Sequence, residues 1–416
     1  MYSIAIRIAS IWNPKAKKWR QGRKGLFASI YSEFRIPDSK LLWMHCASLG
    51  EFEQGRPLLE AIRNKNPGLK ILLTFFSPSG YEATKDYKGV DHIFYLPMDS
   101  PSNAARFIDA IKPSLVLWVK YEYWFYYLDE LKRRSIPLIL VSGIFRKNQP
   151  FFRWYGGIWK KMLHCFTHFF VQNEASKTLL ESINVNQGIT INGDTRFDRV
   201  IEIANNFQPI PLIDEFCANA KVIVAGSTWE EDEVELLHYV KMNPQIKFIL
   251  APHEIHAENL ASVKKEFPNS IFYSELEKSS TFNLILSGAE GQPSNILIID
   301  NIGMLSRLYK YATIAYVGGG FGTDGVHNVL EAAVYGKPVV FGPEYEKYEE
   351  AIGLLEAGGG ESISDPLELE KLMNDLLDSE TIRIQKGTAA KDFVYSNAGA
   401  SEKIMNYIQE KRLLTS

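Results

Sequence analysis

VGGGFGTDGVHNVLEAAVYG, Val317 to Gly336, is the stretch on which the reading of this chain turns. A β-branched and aromatic run, Thr313 to Val317, ends in four glycines within five residues: Gly318, Gly319, Gly320 and Gly322. A His-Asn pair follows, then a helix-forming segment from Asn328 to Tyr335. Glycine has no Cβ and lets the backbone approach a ligand closely. A helix behind such a loop turns its free N–H groups and the positive end of its dipole toward whatever the loop holds. Strand, glycine loop and helix therefore predict a site for a phosphate or a nucleotide, late in the chain.

Working outward, strand candidates precede and follow this motif. They are Lys221–Ala225, Lys247–Ala251, Ile296–Ile299, Thr313–Val317 and Pro338–Phe341. An earlier series runs through Leu41–Cys46, Lys70–Phe76, His92–Leu96, Leu115–Val119, Leu138–Val141 and His168–Val171. Helical segments such as Leu58–Arg63, Asn103–Ile111 and Trp124–Arg133 lie between them. Apolar runs alternating with helices predict parallel, doubly wound sheets. Ile201 to Ala220 holds Pro209 and Pro211 and no clear strand, and is expected to be the linker. Glu277 to Ser294 is rich in serine and glycine and is expected to be an exposed loop. The predicted fold class is α/β, with two Rossmann-like domains facing a cleft and ligands at the carboxyl ends of the strands.

Length and composition agree with this. A chain of 416 residues is too long for one ordinary core. At 46% hydrophobic and 23% charged, with a net charge of −3, it is globular and has no global basic field for nucleic acid. Cys46, Cys165 and Cys217 are scattered, and none stands in a CxxC or zinc spacing, which points to a reducing compartment. Residues 1–26 carry Arg7, Lys15, Lys17, Lys18, Arg20, Arg23 and Lys24 and no acid. The apolar stub Tyr2 to Trp12 is too short to span a bilayer, which takes roughly 20 apolar residues. Two readings stand for this segment: an anchor on an anionic membrane surface, or a solvated basic leader helix.

The strand-end rule sorts the candidate chemistry. Glu51 follows the first strand in Ala47-Ser48-Leu49-Gly50-Glu51, at a helix start. It is either a base for an acceptor hydroxyl or an acid that complements the helix dipole. Glu122 follows another strand among aromatics, in Lys120-Tyr121-Glu122-Tyr123-Trp124, and Thr74 to Gly80 form a third such loop. In the second half, Ala225-Gly226-Ser227-Thr228, Ala251-Pro252-His253 and Asp300 to Leu305 occupy equivalent places. Glu331, one turn into the helix at Asn328, is either a ribose acceptor or a solvated helix acid. Gly320 to Gly325 matches GxGxxG with Glu344 beyond it, but it lies deep in the second half rather than at an opening strand. His253 and His256 are spaced i and i+3, which is not the HExxH zinc spacing, so no metal is expected.

In register, HCASLGEFEQGRPLLEAI, TFFSPSGYE, FYLPMDSP, VKYEYWFYYL, VQNEAS, INGDTRFD, AGSTWEEDE, APHEIH, DNIGMLSRLY and VGGGFGTDGVHNVLEAAVYGKPVVFGP resemble the 3-deoxy-D-manno-octulosonic acid (Kdo) transferases of lipopolysaccharide synthesis. The resemblance runs from about Lys15 to the last helix. It implies a GT-B glycosyltransferase that moves Kdo, with inversion, from CMP-Kdo to the lipid A precursor lipid IVA. That chemistry belongs to the cytoplasmic face of the inner membrane and uses no cofactor. The family's general base falls on Glu51, and a second acidic position falls on Glu122. The CMP contacts fall on Pro252 and His253, on Ile302, Gly303 and Met304, and on Asn328, Val329, Leu330 and Glu331. The implied domains are a membrane-proximal leader (1–26), an acceptor domain (27–203) and a CMP-sugar domain (204–416) whose last helix packs back on the first.

The chain departs from the family where Pro252-His253-Glu254 replaces Pro-Arg-His, where Ile302-Gly303-Met304 replaces Met-Gly-Glu, and where Lys120 replaces Glu. Its amino-terminal apolar segment is also shorter than usual. The expected partners are CMP-Kdo, the lipid A precursor and an anionic membrane surface. The alternatives are a UDP-sugar transferase or epimerase of the same fold, and a non-catalytic nucleotide-binding module at the membrane.

Overall fold

The computed structural model describes residues 10–34, 40–120, 122–186, 188–278 and 294–414. Two compact units divide the chain: Met1–Arg199 together with Ala398–Ser416, and Val200–Asn397.

The first unit is built on seven strands, β1 (Leu41–Cys46), β2 (Lys70–Phe75), β3 (His92–Tyr95), β4 (Leu115–Val119), β5 (Leu138–Gly143), β6 (His168–Val171) and β7 (Ile189–Ile191). They pair in parallel in the order β3-β2-β1-β4-β5-β6-β7. β1, β4 and β5 are buried at every position, as continuous apolar runs require when helices cover both faces. Successive residues point to opposite faces. Trp43 and Trp118 therefore join one core with Phe107 and Tyr127, while Met44 and Leu117 join the other with Leu59 and Ile62. Ile404, Met405 and Ile408 of the helix Ala400–Glu410 belong to that second core.

The second unit repeats the plan with β8 (Val222–Thr228), β9 (Lys247–Pro252), β10 (Ile271–Phe272), β11 (Ile296–Ile298), β12 (Ile314–Val317), β13 (Val339–Phe341) and β14 (Gly360–Ser362). The order is β10-β11-β9-β8-β12-β13-β14, again all parallel. In the first sheet the winding reverses between β1 and β4; in the second it reverses between β8 and β12, and β11 is inserted between β10 and β9. At each reversal the loops diverge to opposite faces and leave a crevice at the carboxyl edge.

Several sequence expectations change. The stretch expected to be a linker is largely helical, Thr195–Asn205 and Pro211–Cys217, with Pro211 in the first turn where its missing N–H does no harm. The unit boundary falls at Arg199/Val200 inside the first of these helices rather than at 203/204. The basic segment is no free leader: Trp19 of the helix Pro14–Gln21 and Leu26 are buried. Arg23 donates to the carbonyls of Trp19 at 3.2 Å, Phe76 at 2.9 Å and Leu96 at 3.0 Å. Most of the apolar stub, residues 2–9, and residues 279–293 of the expected exposed loop lie outside the described residues. Among the described residues no helix is long and apolar enough to cross a membrane. All three cysteines are buried and free.

Candidate active site

Glu51 stands at the third helical position after Ser48, the residue that caps the helix Leu49–Lys65. Its Oε2 accepts from the Ser48 N–H at 2.8 Å and from the Ser48 hydroxyl at 3.2 Å. It is therefore a capping acid, but an unusual one. Only 9% of it is exposed. Burial, with the nearby Glu122 charge, pushes its pKa up to about 7 despite the bonds from Ser48. A cap alone gains nothing from that environment, whereas a general base is most effective with a pKa near the working pH.

Glu122 follows β4, across the winding reversal from Glu51. The chain turns there through Lys120 at φ 54°, a left-handed conformation that is strained for a side-chain-bearing residue. The indole of Trp124 donates to Glu122 Oε2 at 3.0 Å, and that of Trp118 donates to the Glu122 carbonyl at 2.5 Å.

Behind Glu122 lies His45, fully buried in β1. Trp43 Nε1 donates to Thr74 Oγ1 at 2.8 Å, and the same hydroxyl lies 2.9 Å from His45 Nδ1. If each donor is used once, the Thr74 hydroxyl gives its proton to Nδ1 and leaves the proton of the neutral ring on Nε2. That Nε2 has no hydrogen-bond partner and lies 3.6 Å from Glu122 Oε2. Burial lowers the imidazole pKa, so the ring stays neutral. The arrangement is a chain of dipoles, Trp43 to Thr74 to His45, aimed at a carboxylate that sits beside Glu51.

In the second unit the loops after β8 and β12 meet at the winding reversal. Gly318 packs where a Cβ would lie 2.4 Å from the Ser227 carbonyl oxygen, and Gly319 has φ +90°, so glycine is required at both. Asp232, fully buried, ties the two loops together. Its Oδ2 accepts from the N–H of Gly319 at 2.8 Å and of Trp229 at 2.9 Å, and its Oδ1 accepts from the Tyr316 hydroxyl at 2.8 Å. The helix after β8, Glu230–Met242, has 13 residues, but those after β11 and β12, Leu305–Leu308 and Leu330–Ala333, have four each. That is too short for a full macrodipole, so local N–H groups carry more of any anion binding than the sequence suggested.

Over this loop His253 stacks on two nearly coplanar rings, 4.6 Å from Trp229 and 4.4 Å from His327. Trp229 Nε1 donates to His327 Nε2 at 2.9 Å, which assigns the His327 proton to Nδ1. Burial and the neighbouring His253 push the His327 pKa down to about 4. Asn328 Nδ2 donates to Glu331 Oε1 at 3.1 Å. Glu331 in turn lines a small crevice with Ser306 and Tyr335. One arc thus runs from His253 through His327 and Asn328 to Glu331 and the helix that follows Met304.

Other predicted residues contribute differently. The side chains of Met304, Val329 and Leu330 are buried, which leaves their backbone groups, and the Leu330 N–H is already taken by Asn328 Oδ1 at 3.2 Å. The Ile302 side chain is 87% exposed, while Gly303 turns with φ +92°. Pro252 is buried at the end of β9. His256 caps the helix Ala257–Glu266 by accepting from the Asn259 N–H at 3.2 Å, apart from the ring stack that holds His253. Among the described residues no group of three His, Cys, Asp or Glu could hold a metal ion.

Comparison with known proteins gives these geometries a context. Residues 17–199 match the family model described as 3-deoxy-D-manno-octulosonic-acid transferase (kdotransferase). The chain is 25% identical over 423 residues to a 3-deoxy-D-manno-octulosonic acid transferase of Haemophilus influenzae, covering 97% of this chain and 94% of that one. It is 25% identical over 429 residues to a bifunctional glycosyltransferase/methyltransferase of Fusobacterium nucleatum, and spans all of this chain but 62% of that longer protein. Among solved structures, the UDP-GlcNAc 2-epimerase of Neisseria meningitidis bound to UDP-GlcNAc superposes with a TM-score of 0.65 at 14% identity, over 89% of this chain and 100% of that one.

Two doubly wound seven-stranded parallel sheets give the GT-B type of fold that this neighbour shares. The chain is thus similar to Kdo transferases: over residues 17–199 to the family model, and over most of its length to relatives that are 25–28% identical.

Proposed function

We propose that the chain transfers Kdo from CMP-Kdo to a hydroxyl of a lipid A precursor at the cytoplasmic face of the inner membrane, with inversion and with Glu51 as general base. The observation that carries this reading is the Glu51 carboxyl, buried at the winding reversal of the first sheet with its pKa pushed up to about 7. A carboxylate there accepts a proton readily at neutral pH and releases it without a large barrier.

The second unit takes the donor. Glu331 accepts the ribose hydroxyls, held in place by Asn328. N–H groups of the loops after β11 and β12 face the phosphate as charge builds on the departing CMP. His253 stands where an arginine is usual in the family. Stacked on the Trp229–His327 pair, it offers a ring donor in place of a fixed cation. The acceptor hydroxyl attacks the anomeric carbon of Kdo, the bond to the CMP phosphate breaks, and the hydroxyl proton passes to Glu51. Glu122 keeps Glu51 basic by repulsion, and His45 holds Glu122.

A lipid acceptor fits the amino-terminal segment. Lys15, Lys17, Lys18, Arg20 and Lys24 are exposed, and beside them a hollow of about 230 Å³ is lined by Ala16, Trp19, Phe76 and Pro78. The likeness to UDP-sugar epimerases concerns the fold and not the ligand. Titration of the purified protein with CMP and UDP separates the two readings. Preference for CMP is expected, and tight UDP binding with no measurable CMP binding would replace this reading with that of a UDP-sugar enzyme.

A further inference from the structure

The segment after β5 carries a surface that the chemistry above leaves unused. From Leu131 to Asn173 the chain has no acidic residue, and Arg146, Lys147, Arg153 and Lys161 are exposed along it. Among these cations Trp154 is 94% exposed, Tyr155 56% and Ile158 52%. A single exposed apolar residue needs no explanation. Three within five residues, on a stretch free of negative charge, mark a contact surface.

The loop is not slack. Gln149 closes a turn on Arg146, accepting its N–H on Oε1 at 3.0 Å and donating its own N–H to the Arg146 carbonyl at 3.0 Å. The short helix Pro150–Phe152 follows, and the Gly156 N–H donates to the Arg153 carbonyl at 3.0 Å. A Cβ on Gly156 would lie 2.1 Å from the Pro150 carbonyl oxygen, so the turn closes only around glycine. Phe151, 3% exposed, anchors the loop from beneath through Tyr123 at 4.8 Å and Phe145 and Trp159 at 6.0 Å. Trp154 and Tyr155 are thus held outward on a fixed base, edge to face at 5.6 Å. Little ordering entropy remains to be lost on contact. The loop leaves the carboxyl end of β5, the edge of the sheet that also carries Glu51 and Glu122.

We propose that residues 146–161 form a membrane-docking loop. Trp154, Tyr155 and Ile158 enter the interfacial layer of an anionic bilayer, while Arg146, Lys147, Arg153 and Lys161 meet its head groups. Amphipathic aromatic rings settle at that depth, and cations beside them are drawn to anionic lipid. The proposal rests on the reading of a lipid acceptor for its purpose, because it would hold the edge bearing Glu51 against the membrane that contains the acceptor.

The test is flotation of the full chain with phosphatidylcholine vesicles, with and without phosphatidylglycerol. Trp154→Ser/Tyr155→Ser should weaken binding roughly tenfold or more, given the apolar area of two rings. Arg153→Glu/Lys161→Glu should weaken binding to the anionic vesicles by roughly fivefold or more per residue at low salt, and much less at high salt. Both pairs are exposed, so melting temperatures should match wild type. The aromatic variant should also lose Kdo transfer to acceptor embedded in vesicles while keeping transfer to acceptor in detergent micelles. Vesicle binding unchanged in both variants would overturn the proposal and leave the surface to a protein partner. If wild type transfers Kdo to neither acceptor, the reading of function fails, while flotation still decides the loop.

Discussion

Glu51→Gln keeps the shape of the side chain and an oxygen that can accept from the Ser48 N–H, and it removes the charge. In the folded protein the Glu51 pKa lies at about 7, against 4.5 for an ordinary glutamate. Between those values the native state holds a proton that the unfolded chain has released. Stability from this group is therefore fully present below about pH 4.5 and is lost as pH rises through about 7. At roughly 1.4 kcal/mol per unit the loss is on the order of 3 kcal/mol. Glutamine loses none of it. The variant and wild type should melt alike near pH 4.5. Near pH 8.5 the variant's first unit should melt higher by roughly 6–12 °C, for a domain of that size. Differential scanning calorimetry at the two pH values measures this. In the same variant Kdo transfer should fall by roughly 10²–10⁴-fold, and wild-type activity should rise with pH up to about 7 as the base ionises. An equal melting difference at both pH values would refute the account of Glu51 as a buried carboxyl kept basic by its surroundings.

Three further outcomes are expected. Glu331→Ala should weaken CMP binding by about tenfold to a hundredfold, the size of a lost charged hydrogen bond; unchanged affinity by calorimetric titration would return Glu331 to the role of a solvated helix acid. His45→Gln removes the ring that lies 3.6 Å from Glu122 and should let that carboxylate move away from Glu51, whose pKa its charge raises; the acid limb of the rate profile should move to lower pH, and an unmoved limb in a variant that still folds would leave His45 a purely structural residue. EDTA should leave turnover unchanged, because departing CMP needs no cation in this chemistry; strict dependence on added Mg²⁺ would contradict it.

How far the sequence reveals this structure depends on how local each feature is. The strands it exposes, such as LLWMHC and LVLWV, are continuous apolar runs buried on both faces. The strands it hides are β7, β10 and β14, with three, two and three residues. β14 reads Gly-Glu-Ser, which has no apolar period, and only pairing with β13 makes it a strand. Glu51 is legible because strand, serine cap and third-position acid are contiguous. His45 is not: it is one polar residue inside an apolar run, and Thr74 and Glu122, its neighbours in space, come from β2 and from beyond β4. The Trp229, His253 and His327 stack draws on three separate loops, and only the position of each at a strand's carboxyl end hinted at it. The stretch expected to be a linker is helical because its prolines stand before and at a helix start rather than inside one.

The central claim is that this chain makes a glycosidic bond with Kdo. The most direct measurement is mass spectrometry of a lipid A precursor incubated with the purified full chain and CMP-Kdo, beside Glu51→Gln and beside UDP-GlcNAc as donor. The account predicts acceptor carrying added Kdo with wild type and CMP-Kdo, almost none with the variant, and none with UDP-GlcNAc. Acceptor left unmodified by wild type, or Kdo transfer undiminished in Glu51→Gln, would contradict it.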